Sequence, residues 1–252
     1  MNAVTSSPVC EAEDLATGRW DLTVTVADQL SWRELWAFAA QVADDYASGP
    51  MDLLVTTPVA GRERTGDLAA PEIILVDRVI DGSAAPAGVP VNESELLAAL
   101  TESLLDALDY CGTRQFALSH EDVLRRTREF LSRPEVGRCQ VGSGPDAQFA
   151  VWIPESDPWC HGADLIELLD ICGPGRGGQS TLLGQMVGAA GPRTVRGNVA
   201  VSPDQPDGWR VLDRLRATGW RVVGARWRFR CDDSGITVPD RGPRWPDWAG
   251  TT

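Results

Sequence analysis

Lysine is absent from this sequence: all 23 basic residues are arginine. That excludes Schiff-base catalysis and any phosphate loop that depends on a lysine charge. Histidine is scarce, with only His120 and His161, and no tyrosine lies beyond Tyr110. A tyrosine acid in the second half of the chain is therefore excluded. No apolar run approaches the roughly 18–20 residues that a membrane span needs. The opening stretch MNAVTSSPVCEAEDLA has neither the basic nor the hydrophobic region of a signal peptide. Both observations lead to the expectation of a cytoplasmic protein with no membrane partner. CxxC pairs are missing as well, and the spacing of Cys160, His161 and Cys172 fits no standard zinc pattern. Reduced core thiols and no metal site are expected.

Positive charge is outweighed overall, with 36 acidic residues and a formal net charge of -13. A field of that sign repels nucleic acid, which makes it an unlikely partner. Against this background the C-terminal arginines stand out: Arg226, Arg228 and Arg230 alternate with Trp227 and Phe229. They read either as a charged face balanced by nearby carboxylates or as an anion site.

Hydropathy patterning indicates a mixed α/β protein. Residues 20–28 alternate as a half-buried strand, and the Ser31/Glu34 pair opens an amphipathic helix as a capping box. Two apolar runs, 51–57 and 72–80, read as strands, followed by a Gly/Ala/Pro-rich link at 81–90. Asn92 and Ser119 each cap a helix. Residues 136–153 form a hairpin pattern about Gly142-Ser-Gly-Pro, then comes a strand at 164–172. A glycine loop, a helix from about 180 to 190, a strand at 194–201, a helix at 207–218 and a strand at 220–231 complete the series. The expected organisation is a disordered N-terminus (1–18), an N-terminal α/β domain (19–112), a second domain (113–232) and an irregular tail (233–252).

The loop is the stretch CGPGRGGQSTLLGQM, residues 172–186. Gly173, Gly178 and Ser180 keep the spacing of a nucleotide phosphate loop, yet Gln179 occupies the lysine position. From about 115 to 230 the order of elements, together with "GRGGQSTLL" and "RATGW", resembles the GCN5-related N-acetyltransferase (GNAT) superfamily. The resemblance implies a GNAT-like second domain that takes acetyl-CoA or another acyl-CoA. Residues 19–112 would then be a second, degenerate half of the same kind or an appended recognition domain. The family's pyrophosphate signature falls on Pro174, Gly177 and Gln179, of which Gly177 matches.

The resemblance implies that Gly173, Gly175, Arg176, Gly177, Gly178, Gln179 and Ser180 hold the pyrophosphate, with glycines admitting the ligand and backbone N–H groups facing it. The backbone at Ile171 and Cys172 would orient the thioester. Glu167 or His161 would act as base toward a small-molecule or peptide amine. Strand alternation places Glu167 and Asp170 on opposite faces, so that at most one of them serves a shared site. His120 reads as a surface residue at a helix start. Two alternatives stay open: a non-catalytic binding protein with a degenerate cofactor site, and a nucleotide-binding protein with a P-loop-like turn.

Overall fold

The computed structural model describes residues 11–14, 19–46, 49–59, 71–80, 89–110, 119–155, 165–175, 181–183, 185–186, 193–201 and 207–238. It is a mixed α/β structure, as the alternating pattern requires. In chain order the first elements are β1 (Glu11–Asp14), β2 (Arg19–Thr25), α1 (Trp32–Tyr46), β3 (Met51–Pro58) and β4 (Ile73–Ile80). Next come α2 (Glu93–Tyr110), α3 (His120–Leu131), β5 (Gly137–Val141), β6 (Gln148–Glu155), β7 (Leu165–Cys172) and β8 (Arg193–Ala200). The last are α4 (Asp207–Ala217), β9 (Arg221–Asp232) and β10 (Gly235–Thr237). The chain divides into two compact units, one of residues 1–77 with 198–252 and the other of residues 78–197.

In the first unit, β2 and β3 are parallel and are connected through α1. The twelve-residue strand β9 lies antiparallel to both β3 and β4, from Met51↔Cys231 to Pro58↔Gly224 on one side and from Ile73↔Arg226 to Asp77↔Arg221 on the other. Its alternation sends Ala225, Trp227, Phe229 and Cys231 into the interior, opposite Leu53 and Val55 of β3. Helix α1 covers that face. Leu35 and Ala39 are fully buried, and Trp32 stacks on Phe229 with ring centroids 6.0 Å apart. Full burial of a large apolar side chain contributes about 1.5–3 kcal/mol, so this aromatic and aliphatic layer is the main source of the unit's stability.

The other face of β9 carries its arginines, and they are neutralised locally. Arg228 donates to Asp52 and to Glu72 at 2.9 Å each. Arg226 donates to the Thr56 hydroxyl at 3.0 Å, and Arg230 stands 3.8 Å from Asp52. Burial works to lower the Arg228 pKa, but the hydrogen bonds and charges of Glu72 and Asp52 outweigh it and the net shift is upward. The cationic strip is thus a balanced face of the sheet.

The second unit is built on β5–β6–β7–β8. β5, β6 and β7 form an antiparallel meander, and β8 joins β7 in parallel. Helices α2 and α3 supply Leu96, Leu100 and Leu131 to a core with Val136, Phe149, Val151 and Cys172. The caps read from the sequence are present. Ser119 and Asp122 bond reciprocally at the start of α3, and Asn92 accepts from Glu95 N–H at the start of α2. Buried Gln140 ties α2 to the sheet, accepting from Asn92 N–H at 2.7 Å and donating to the Gly142 carbonyl.

Three features depart from the sequence expectation. β1 lies inside the segment expected to be disordered, held by antiparallel pairing with β2. β10 lies inside the expected irregular tail and folds back on β9 through a turn at Asp232, Ser234 and Gly235. The end of β8, together with α4 and β9, belongs with residues 1–77, whereas a single domain of 113–232 was expected. The first two are local strand pairings, and the third follows from the pairing of β9 with β3 and β4, which are remote in sequence. Among the described residues, no helix is long and apolar enough to cross a membrane.

Candidate functional site

Strand β7 leads into the glycine loop and is flanked by strands of opposite sense. The parallel register with β8 runs from Leu165↔Thr194 to Leu168↔Gly197, whereas β6 follows β7 as far as Cys172. Midway, the antiparallel register slips: Trp152 pairs with Leu168 but Val151 pairs with Asp170, leaving Leu169 as the extra residue of a β-bulge. Leu169 is accordingly exposed.

The bulge corrects the expectation from alternation. Glu167 lies opposite Ile153 and Asp170 lies opposite Val151, and those two β6 residues share a face. Glu167 and Asp170 therefore stand on the same face of β7, both half-buried. The parallel register adds Arg196 of β8, which is buried and lies directly beside Glu167. The result is a row of two carboxylates and a guanidinium on the sheet face that α2 and α3 cover farther along, at Val151 and Phe149. Asp170 and Arg196 were not singled out together from sequence. The signal available was a charge inside each of two apolar runs, "LIELLDIC" and "TVRGNVAV".

Cys172 closes the strand, with its side chain in the apolar core. Burial, assisted by the Asp170 charge, pushes its thiol up to about 12. Burial likewise pushes Cys139 up to about 11. Both thiols stay protonated at neutral pH, so neither is a nucleophile. Ile171 pairs with Ala150 on the opposite face.

The first turn of the loop is shaped by contacts within the chain. Gly173 has φ +116°, and a Cβ there would come within 2.6 Å of the Ala147 carbonyl oxygen. Gly175 N–H donates to that same oxygen at 3.0 Å, and a Cβ on Gly175 would collide with the Asp146 carbonyl. Gln148, itself buried, donates from Nε2 to the Gly175 carbonyl at 2.6 Å. Gly173 and Gly175 thus permit close packing on the β5–β6 turn. His161 and the loop residues Arg176, Gly177, Gly178, Gln179 and Ser180 lie outside the described residues.

Beyond the loop, residues 181–183 and 185–186 are helical. Leu182 and Met186 are fully buried, and the Leu182 carbonyl accepts from the Cys139 thiol, which seats this turn against β5. Gln185 is on the same buried stripe, 7% exposed, and its Oε1 has no hydrogen-bond partner among the described residues. An unsatisfied buried amide oxygen costs about 1–3 kcal/mol. It was not identified from the sequence, where a glutamine in a helix carries no signal of its burial.

His120 is exposed, with Nε2 3.4 Å from Glu102, in keeping with a surface histidine. Among the described residues, no group of His, Cys, Asp and Glu is arranged to hold a metal ion. No protein-family model matches the chain, and no curated protein matches its sequence.

Proposed function

We propose that the second unit is an acyl-CoA-dependent N-acyltransferase of GNAT-like design, acting on an amine by direct attack without a covalent enzyme intermediate. The observation that carries the reading is the β7–β8 crossover. An antiparallel meander feeds a strand that ends in a glycine loop, passes through a helical turn and returns in parallel. Loops at the C-terminal ends of parallel strands expose backbone N–H groups that suit a pyrophosphate.

In this reading residues 173–180 hold the pyrophosphate, and Arg176 supplies a cation to it. The backbone at Ile171–Gly173 orients the acyl group. Bound acyl-CoA supplies an activated thioester carbonyl. Glu167, Asp170 or His161 takes the proton from the acceptor ammonium, freeing the nitrogen lone pair. Arg196 pairs with Glu167 across the β7–β8 register, so a cation stands on the strand beside the proposed base. With no tyrosine beyond Tyr110, solvent returns the proton to the leaving thiolate.

A second reading, a binding protein with a degenerate cofactor site, is favoured by one specific observation. Gly173 and Gly175 already have a packing role against Ala147 and Asp146, so their presence does not require a ligand. The same point weakens the nucleotide-loop reading, in which Gly173 is the first glycine. Calorimetric titration with acetyl-CoA, adenosine 3′,5′-bisphosphate and Mg-ATP separates the three. The acyltransferase reading expects the first to bind at micromolar concentration, and saturation by Mg-ATP alone would replace it with the nucleotide reading.

A further inference from the structure

We draw no further inference here: the strongest candidate, the side-chain row of Glu167, Asp170 and Arg196 on β7 and β8, belongs to the site already described.

Discussion

Nε2 of Gln148 donates to the Gly175 carbonyl across 2.6 Å, binding the first turn of the glycine loop to the start of β6. Gly175 returns the contact through its N–H to Ala147. The loop that carries the functional proposal is therefore fastened at its entrance by the β5–β6 turn. Gly175→Ala is expected to lower stability by about 1–3 kcal/mol through collision with the Asp146 carbonyl, as overpacked positions do. Gln148→Leu is expected to lower it by a similar amount, by leaving the Gly175 carbonyl unpaired. Denaturant unfolding of both variants measures this.

The bulge at Leu169 brings Glu167 and Asp170 to one face. If either is the base, its amide variant, Glu167→Gln or Asp170→Asn, is expected to lose about 10²-fold or more in kcat/KM. Rates with both variants at or near the parent value would transfer the role to His161, tested the same way with His161→Asn.

The buried thiols give a prediction of opposite sign in pH. The Cys172 thiol is pushed up from 9.0 to about 12 in the folded protein. Its contribution is intact below pH 9, and stability then falls as the pH rises toward 12, because the unfolded chain releases the proton first. The slope approaches about 1.4 kcal/mol per pH unit for one thiol. Cys172→Val is expected to flatten that alkaline loss in unfolding curves between pH 8 and pH 11. In the same range, thiol reagents should leave Cys172 and Cys139 unmodified until the protein unfolds.

Arg228 holds Asp52 and Glu72 together, and the three form a partly buried network. Arg228→Met strands two carboxylates and is expected to cost about 1–3 kcal/mol, less than a fully buried pair because the guanidinium retains some exposure. Arg228→Lys is expected to recover only part of this, since one ammonium cannot reproduce two directed bonds. Thermal unfolding compares the two.

The sequence was most legible where a local rule decides structure. The capping boxes at Ser31/Glu34 and Ser119/Asp122 form as read, with Glu34 and Asp122 held below the usual carboxylate range by the hydroxyls of Ser31 and Ser119. The amphipathic strands and the hairpin about Gly142 were equally readable, since side-chain period and turn glycines are short-range signals. The rest depended on partners distant along the chain. A bulge inserts one residue without altering composition, so the shared face of Glu167 and Asp170 was invisible in "LIELLDIC". The place of β9 between β3 and β4 is set by pairings such as Leu53↔Phe229, which no local pattern encodes. Burial of Gln185 follows from tertiary packing, which nothing in the sequence "TLLGQM" signals.

In the proposed reading the β7–β8 crossover binds an acyl-CoA through its glycine loop. The most direct measurement is calorimetric titration of acetyl-CoA into the parent protein and into Gly177→Glu, which places a carboxylate at the one signature glycine. Saturable micromolar binding by the parent, abolished in Gly177→Glu with the melting temperature preserved, is the predicted result. No binding to the parent at millimolar acetyl-CoA, or equal binding to both proteins, would contradict it.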